Sequence, residues 1–227
     1  MKREVFSPQL FEAVPDKVLR ATPKLTHELL VSWALTTPKP HFILDPAAGY
    51  GTDVHSLQLE GINAIGQDGS DSMVAHAVTP IQQGLIEDLS LYDSESFSGI
   101  LLKDTLAFLS PHQRELFFQN AASILRPNGS VLILSEKFLQ HWASDIDGNW
   151  EIQTGDIEAW RAYVEQKSPT SREVQFIFRC DPPELTALAN SYGFAHKRTI
   201  EYDRRDPFVR ENQWIQMDYF VSEYIRT

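Results

Sequence analysis

The sequence predicts an α/β fold in which a doubly wound, mostly parallel sheet is covered by helices on both faces. Short apolar runs alternate with helical patterns along the chain, which is typical of parallel strands joined by crossover helices. Two runs, 97–103 and 131–135, are almost continuously apolar, as expected of strands buried on both faces. The last two runs, 195–202 and 214–225, are joined by a link too short for a helical crossover. This link predicts an antiparallel hairpin at one edge of the sheet.

The chain opens with a segment that five prolines divide into short pieces, residues 1–40. Within it, residues 24–35 place Leu29, Leu30 and Trp33 on one side of a predicted helix. We therefore expect an N-terminal helical extension. Two roles are open for it: capping the core, or closing over a ligand as a lid.

Residues 41–71 form the unit around which the fold is organised. A strand at 41–44 ends in Asp45, a loop of small residues follows at 47–51, and a helix is predicted over 52–60. A second strand, 63–67, ends in Asp68. Such a loop lets the backbone approach a ligand closely, and an acid at the end of the next strand suits a ribose diol. The unit is a candidate nucleoside-binding site.

The remaining elements follow in order. Ser70 is the expected N-cap of a helix that Pro80 ends, and a short third strand is predicted over 84–89. Ser110 and Gln113 have the spacing of a capping box at the start of the next helix. An aromatic-rich insertion, residues 137–173, follows strand five. Beyond a strand at 173–179, Asp181 is the expected N-cap of a helix, with Glu184 as its capping-box partner.

Composition excludes several classes of protein. The chain has 227 residues, 42% of them apolar and 22% charged, and its net charge is -11. Because its basic residues are not clustered, we expect no nucleic-acid partner. Cys180 is the sole cysteine, so neither an intrachain disulfide nor a cysteine-based metal site is possible. The sequence shows no signal-peptide pattern and no apolar run of membrane-spanning length, which predicts a cytoplasmic protein with no membrane partner. We expect one domain, residues 1–227.

The glycine pattern of the loop favours one class of nucleoside over another. The dinucleotide fingerprint, G-x-G-x-x-G, has a third glycine that lets helix and strand pack closely, and this loop lacks it. Asp45, directly ahead of the loop, would repel a pyrophosphate but could accept a hydrogen bond from an ammonium group. A cationic nucleoside without phosphates therefore fits the loop better.

Four stretches together resemble the class I S-adenosylmethionine-dependent methyltransferases, of the kind that act on small molecules. Residues 43–51, ILDPAAGYG, are similar to the first motif of that family, and residues 65–70, IGQDGS, to its second. Residues 88–100 resemble the third-strand acid and the start of strand four, and residues 125–130, LRPNGS, the turn into strand five. The resemblance implies a Rossmann-like sheet of seven strands, with residues 41–136 as the cofactor-binding core and 174–227 as the C-terminal part of the sheet.

The resemblance also implies a set of cofactor contacts to S-adenosylmethionine. Asp45 and the loop backbone would hold its methionine part, Asp68 its ribose, and Asp88 its adenine amino group. In full, the implied cofactor-binding residues are Asp45, Ala47, Gly49, Gly51, Asp68, Gly69, Asp88, Leu89 and Lys103. Two positions depart from the family pattern. Ala47 stands where glycine is common, and Gly69 stands where an apolar side chain usually meets the adenine.

The methyl acceptor cannot be read from the sequence, but its place can be predicted. The residues expected near it are Asp104, His141, Trp142 and Trp160, the last three within the insertion. No catalytic base, metal site or oligomeric state is assigned. Alternatives of other classes stay open: a catalytically silent nucleoside-binding protein, or an NAD(P)-dependent reductase that uses Tyr163 and Lys167. Aminopropyl transfer is disfavoured, because no acidic pair follows strand four.

Overall fold

The computed structural model describes residues 24–138, 150–155, 173–178, 181–206 and 215–227. The helices in these ranges are α1 (Lys24–Ala34), α2 (Thr52–Leu59), α3 (Asp71–Ala75), α4 (Pro111–Ile124) and α5 (Pro182–Ser191), with a 3-10 helix at Leu106–Phe108. The strands are β1 (Phe42–Asp45), β2 (Asn63–Asp68), β3 (Gln82–Gln83), β4 (Phe97–Lys103), β5 (Leu125–Phe138), β6 (Trp150–Gly155), β7 (Glu173–Phe178), β8 (Phe194–Asp206) and β9 (Ile215–Arg226).

The main sheet has seven strands in the order β3-β2-β1-β4-β5-β9-β8. The first five strands of that order are parallel to their neighbours, whereas β9 runs antiparallel to both β5 and β8. This confirms the predicted fold class, including the antiparallel edge hairpin. Because β2 and β4 run parallel to β1 on either side of it, the three strands end at the same edge of the sheet. Their last residues, which therefore lie at that edge, are Asp45, Asp68 and Lys103.

Alternate residues of the central strands enter two cores, one on each face of the sheet. Leu44 and Ile100 pack into the core that Phe117 and Phe118 of α4 dominate. Ile43 and Leu101 pack into the opposite core, together with Trp33 of α1. This alternation explains why the central strands are apolar at nearly every position.

Helix α1 caps the second core. Trp33 is fully buried, and its Nε1 donates to Ser130 Oγ at 2.6 Å. Gly99 of β4 makes room for the indole, because a Cβ there would lie 3.0 Å from two ring carbons. For residues 24–34, the structure therefore supports capping the core and not a lid. Residues 1–23 lie outside the described ranges.

The predicted third strand is misplaced. Residues 82–83, not 84–89, pair with β2, opposite Gln67 and Asp68. Gly84 N donates to the Asp68 carbonyl at 3.0 Å, and Gln67 Nε2 donates to the carbonyl oxygen of Leu85 at 2.9 Å, so a side chain continues the contact with β2 beyond the first backbone bond. The helix after Asp68 also differs from its prediction. It has the expected N-cap, since Ser70 Oγ accepts from Met73 N, but it ends at Ala75 and not at Pro80.

Two capping predictions have opposite outcomes. Ser110 and Gln113 form the predicted capping box, with bonds of 3.3 and 3.0 Å between each backbone N–H and the other side chain. Asp181 does stand at the N-cap of α5, but its side chain makes no capping hydrogen bond, so the predicted box with Glu184 is wrong. Pro182 and Pro183 open that helix, and neither has a backbone N–H to donate.

Strand β5 begins earlier than predicted. Leu125 already pairs with Phe97, and the next pairing joins Ser130 to Gly99, so residues 126–129 form an irregularity between them. Arg126 donates from there to the carbonyl oxygens of Pro40, Glu95 and Ser96, at 2.8 to 3.2 Å. One guanidinium thus joins the chain entering β1 to the chain entering β4, at the edge opposite Asp45.

Strand β6 of the insertion and strand β7, which begins at its last residue, form a second, two-stranded sheet. Strand β6 pairs in parallel with β7 over six residues, from Trp150 opposite Glu173 to Gly155 opposite Phe178. The predicted strand at 173–179 is confirmed as a strand, but its expected place in the main sheet, as part of residues 174–227, is wrong, because it pairs with β6 in the second sheet. Strand β7 lies next to the 3-10 helix that follows β4. The small sheet therefore stands near the edge of the main sheet that carries Lys103.

The edge hairpin contains a bulge. His196 pairs with Tyr224 and Arg198 with Glu223, so Lys197 is an additional residue in β8. Lys197 Nζ and Arg198 Nε each lie 2.9 Å from a carboxylate oxygen of Glu223, whose side chain is fully buried. A bulge lets two consecutive side chains reach the same partner, which strict alternation would prevent.

Candidate functional site

The candidate site lies at the sheet edge where β1, β2 and β4 end. Asp45 closes β1 and Asp68 closes β2, and their exposed fractions are only 4% and 8%. The loop of residues 46–51 leads from Asp45 into α2 and passes beside Asp68. The structure thus brings together the two acids that the sequence predicted, with the glycine loop between them.

Four backbone N–H groups of the loop donate hydrogen bonds to acceptors within the protein. Gly49 N donates to Asp68 Oδ2 at 2.7 Å, and Ala47 N donates to Asp45 Oδ1 at 3.2 Å. Ala48 N donates to the Gln67 carbonyl at 2.9 Å, and Gly51 N donates to the Ala48 carbonyl at 2.8 Å. A pyrophosphate cradle needs such N–H groups directed at the ligand. The bonding of these four amides therefore supports the prediction of a ligand without phosphates.

The loop is shaped by two glycines with left-handed backbones. Gly49 has φ = 55° and Gly51 has φ = 72°, a region in which glycine is favoured. Glycine is favoured at position 51 for a second reason, because a Cβ there would lie 3.1 Å from side-chain carbons of both Ile81 and Thr79. Ala47 is not among the residues with positive φ, so its methyl group is compatible with the loop.

Gly66 of β2 supplies the close packing that the missing third glycine would have given. A Cβ at Gly66 would lie 2.7 Å from Ala48 Cβ and 3.0 Å from side-chain carbons of Val54 and Ile81. The loop and helix α2 therefore approach β2 through a glycine on the strand and not through one on the helix. Sequence reasoning noticed Gly66 only as part of a motif.

Asp68 is both structural and available to a ligand. Its Oδ1 accepts from Ser70 N at 2.9 Å, and its Oδ2 accepts from Gly49 N at 2.7 Å. Each carboxylate oxygen has two lone pairs, so each retains capacity for one hydroxyl of a diol. Burial raises the pKa of Asp68, and the hydrogen bonds from Ser70 and Gly49 act in the opposite direction.

A third acid, Asp53, joins the site from the first turn of α2. Its Oδ2 lies 2.7 Å from Lys103 Nζ, and both side chains are largely buried. Burial is the main reason why the pKa of Asp45 is raised well above its usual value, and the charge of Asp53 is the next. The hydrogen bond from Ala47 N–H and, after it, the charge of Lys103 act against this shift, whereas Asp68 adds to it. The sequence alone did not identify Asp53, because an acid in the first turn of a helix is ordinary.

The side of the site beyond Asp68 is formed by Leu85, an apolar residue that was not predicted from the sequence. A Cβ at Gly69 would lie 3.2 Å from Leu85 Cδ2, so the space of a side chain at Gly69 is bounded by Leu85. Leu85 is 43% exposed. Gln67 is fully buried, and its Nε2 donates to the carbonyl oxygen of Leu85. The Oε1 of Gln67 in turn accepts from Tyr92 Oη at 2.9 Å. This places an apolar wall where the resemblance implies the adenine.

Asp88 and Leu89 lie farther along the same segment. Asp88 is exposed, and its Oδ1 accepts from Ser90 N at 3.1 Å and from Ser90 Oγ at 2.6 Å. These bonds lower the pKa of Asp88. Leu89 is buried in the core with Phe97. The adenine contacts assigned to Asp88 and to the Leu89 backbone stay predictions.

Of the predicted substrate residues, only Asp104 lies within the described ranges. Asp104 follows Lys103 with φ = 53°, and its N–H donates to the Leu134 carbonyl at 2.9 Å. A left-handed backbone is uncommon for a residue with a side chain. The other predicted residues, His141, Trp142 and Trp160, lie outside the described ranges, as do Tyr163 and Lys167. Among the described residues, no group of three or more potential metal ligands is placed to hold an ion.

The site suits a positively charged nucleoside with a ribose and no phosphate. Asp68 offers acceptors for a diol, Leu85 offers an apolar surface, and Asp45 offers a buried carboxylate for a cation. S-adenosylmethionine has each of the complementary groups. The part of the chain that the structure describes also contains no helix that is both long and apolar enough to cross a membrane.

Comparison with known proteins points to the same ligand. Residues 44–133 match the family model described as a methyltransferase domain. The chain is also similar to a carboxy-S-adenosyl-L-methionine synthase of Photobacterium profundum, with 30% identity over 151 residues, 59% of this chain and 61% of that protein. A protein of the same description from Vibrio vulnificus is likewise 30% identical, over 59% of this chain and 60% of its own length. The chain thus spans about 60% of the length of these curated relatives.

Solved structures share the fold. A protein from Pyrococcus horikoshii superposes with a TM-score of 0.65 at 14% identity, covering 98% of this chain and 100% of that one. A SAM-dependent methyltransferase from Archaeoglobus fulgidus gives a TM-score of 0.57 at 15% identity, covering 96% and 99%. Residues 44–133 thus match a methyltransferase domain, and the sheet order together with the structural likeness shows the fold of S-adenosylmethionine-dependent methyltransferases.

Proposed function

We propose that this protein transfers a methyl group from S-adenosylmethionine to a small-molecule acceptor. The observation that carries the proposal is the pairing of two buried acids, Asp45 and Asp68, with a loop whose amides are already bonded within the protein. When bound, S-adenosylmethionine supplies a methyl group on a sulfonium centre, which a nucleophile displaces in line. Proximity, alignment and exclusion of water account for much of the acceleration in such a transfer.

The residues of the chain would divide the work of binding. Asp45 would face the ammonium group, Asp68 the ribose hydroxyls, and Leu85 with Gly69 the adenine. Asp104, which follows Lys103, would lie nearest the reacting centre. We assign no general base, because one is needed only when the acceptor loses its proton with difficulty. The insertion, whose small sheet lies next to the 3-10 helix after β4, would cover the acceptor.

The acceptor proposed is neither a nucleic acid nor a lipid surface. A net charge of -11 disfavours polyanions, whose phosphates require a basic face. The aromatic residues of the insertion, among them Trp142 and Trp160, would instead enclose a compact molecule. A cytoplasmic location is part of the same proposal and is supported by the single cysteine.

Calorimetric titration with S-adenosylmethionine, S-adenosylhomocysteine and NAD(H) tests the cofactor. We expect both adenosyl compounds to bind one site each and NAD(H) not to bind, with Asp68→Asn as the variant that loses affinity. Binding of NAD(H) alone would overturn the proposal in favour of a reductase. Turnover is tested by offering methyl-labelled cofactor with fractionated small-molecule extracts and following both labelled product and S-adenosylhomocysteine. Tight binding with no turnover on any fraction would instead support a catalytically silent protein.

A second reaction on the same cofactor can be followed in the same assay, because the similar curated proteins are described as carboxy-S-adenosyl-L-methionine synthases. By that description their product retains the adenosyl group and gains a carboxyl group. Mass spectrometry separates the outcomes: methyl transfer releases S-adenosylhomocysteine, whereas the second reaction gives a heavier sulfonium compound. We expect the former, because the cation beside Asp45, Lys103, is paired with Asp53 and so offers little charge to a second carboxylate.

A further inference from the structure

Lys103 lies at the end of β4, but its ammonium group is held by a residue of another element. Asp53, on the first turn of α2, binds it at 2.7 Å. The exposed fractions of the two side chains are 15% and 11%, so water screens this ion pair only weakly. Asp45 ends the neighbouring strand β1, which pairs directly with β4. The carboxylates of Asp45, Asp53 and Asp68 thus gather around the edge of the sheet that carries the Lys103 ammonium group.

We propose that Lys103 is a positioning residue which acts through Asp53: by neutralising Asp53, it leaves Asp45 as the carboxylate that carries charge toward the cofactor. This inference rests on the proposed function for the identity of the cation that Asp45 meets. It differs from the role that the family resemblance implied, in which Lys103 itself lines the pocket near the sulfonium. The role proposed here needs no contact between Lys103 and the cofactor.

The charges around Asp45 support this assignment. It is faced by Asp53 from α2, by Asp68 from β2 and by Lys103 from β4, and Asp104 follows Lys103. Burial and Asp53 both oppose ionisation of Asp45, whereas the hydrogen bond from Ala47 N–H and, after it, the charge of Lys103 favour it. Without Lys103, the charge of Asp53 would be uncompensated and would oppose a charge on Asp45 more strongly. A neutral Asp45 could no longer attract an ammonium group.

The test is a double-mutant cycle on Lys103→Met and Asp53→Asn with two readouts. The first is the pH titration of the Asp45 carboxyl carbon, followed by carbon-13 NMR in the protein without cofactor. The second is the affinity for S-adenosylmethionine between pH 5 and 8, measured by calorimetry. Lys197→Met is the matched control, because Lys197 also binds a buried carboxylate, Glu223, at 2.9 Å, on the edge hairpin.

We expect Lys103→Met to move the Asp45 titration to higher pH and to weaken cofactor binding in proportion to the loss of the ionised form of Asp45, with the largest effect at the acidic end of the pH range. The double variant should recover most of that affinity, since it removes the opposing charge together with the compensating one. Lys103→Arg should keep both properties near those of the wild type. Lys197→Met should leave the titration and the affinity unchanged.

Two outcomes would overturn the inference: an unchanged Asp45 titration in Lys103→Met, or a double variant whose loss is the sum of the two single losses. Either can occur while the wild type still binds S-adenosylmethionine, in which case the proposed function stands. If the wild type does not bind the cofactor, the proposed function fails and the NMR titration still decides the role of Lys103. Circular dichroism of each variant identifies any that does not fold, and Lys103→Gln then replaces Lys103→Met.

Discussion

The surroundings of Asp45 oppose a charge on its carboxyl group. Its usual pKa is about 3.8, and in the folded protein burial raises that pKa well above this value. Between the two values the folded state binds more protons than the unfolded state, so the free energy of unfolding falls as pH rises through this window. Above the folded-state pKa the destabilisation is complete. A residue that weakens the fold at neutral pH is a strong candidate for a functional role.

Asp45→Asn should therefore make the cofactor-free protein more stable at pH 7 and should weaken S-adenosylmethionine binding. The amide can keep the acceptor for Ala47 N–H but has no charge to be desolvated. We expect a gain on the order of 1 kcal/mol, which in a chain of this size raises Tm by about 2–4 °C. The gain should be small near pH 4, close to the unfolded-state pKa of about 3.8, and should disappear at lower pH, where the wild-type carboxyl is protonated in both states.

Thermal unfolding at pH 4 and pH 7 checks this prediction, and the exposed Asp93→Asn serves as its control. Equal Tm values for Asp45→Asn and the wild type at pH 7 would show that Asp45 is not destabilising.

Gly66 should tolerate no side chain. Gly66→Ala places a Cβ 2.7 Å from Ala48 and 3.0 Å from Val54, so either the loop or helix α2 must move. We expect a loss of about 1–3 kcal/mol in the free energy of unfolding, as for other overpacked sites. Cofactor affinity should fall as well, because Ala48 belongs to the loop. Denaturant unfolding measures the first effect and calorimetry the second.

Ala48→Gly provides the internal check on this prediction. Added to Gly66→Ala, it removes the closest of the contacts and should recover part of the lost stability. A Gly66→Ala protein with wild-type stability and affinity would mean that β2 and the loop are not in close contact.

The residues of the site divide according to how they could be found from the sequence. Asp45 and Asp68 could be predicted because each follows an apolar run at a fixed distance from the glycine loop. Asp53 and Gln67 could not, because their importance comes from partners far along the chain, Lys103 and Tyr92. A short-range pattern contains no information on such pairs.

At the scale of elements, the segment between β3 and β4 shows why an apolar pattern misled the prediction. Residues 84–89 have the composition of a buried strand, and Ile86 and Leu89 are indeed buried. The segment is nevertheless not a strand, because Gln67 and Asn120 bind its carbonyl groups through their side chains. Burial was predicted correctly, whereas the backbone conformation was not. The same backbone conformation places Leu85 next to Gly69.

Leu85→Ala and Asp88→Asn therefore distinguish two assignments of the adenine contact. If Leu85 forms the apolar wall, its truncation should weaken S-adenosylmethionine binding by about five- to tenfold, the effect of about 1 kcal/mol of lost apolar contact. Asp88→Asn should then have little effect, because that side chain binds Ser90. Titrations with the cofactor and with 5′-methylthioadenosine should show the same loss, since both contain adenine. The opposite ranking of the two variants would support the assignment made from the family resemblance.

At the scale of the whole molecule, the main sheet was predictable and the small sheet was not. Strand polarity and the edge hairpin follow from the lengths of the connections, which the sequence shows directly. Strands β6 and β7 pair in parallel across a long intervening segment, and no local signal specifies such a partner. The sequence left two roles open for α1, capping the core or closing over a ligand as a lid. The burial of Trp33 supports the first role for the described residues.

Cofactor binding should stabilise the whole fold. A ligand at about 100 times its Kd adds about 2.7 kcal/mol to the free energy of unfolding, so Tm should rise by about 5–10 °C. We expect this with S-adenosylmethionine and no shift with NAD(H) at the same concentration. Differential scanning calorimetry over a range of ligand concentrations measures it. A shift that fails to grow with the logarithm of the concentration would indicate an effect other than binding to the native state.

The bulge at Lys197 limits how the edge of the sheet can be used. Strand β8 is the last strand in the order of the main sheet, and a long regular edge of this kind is a template for adding another strand. The additional residue interrupts the spacing of the edge N–H and C=O groups and gathers two cations there, on Lys197 and Arg198. Deleting Lys197 would restore a regular edge and would leave the His196–Tyr224 and Arg198–Glu223 pairs in register. We therefore expect Lys197, which is also one of the two cations beside Glu223, to disfavour edge-to-edge association of the sheet.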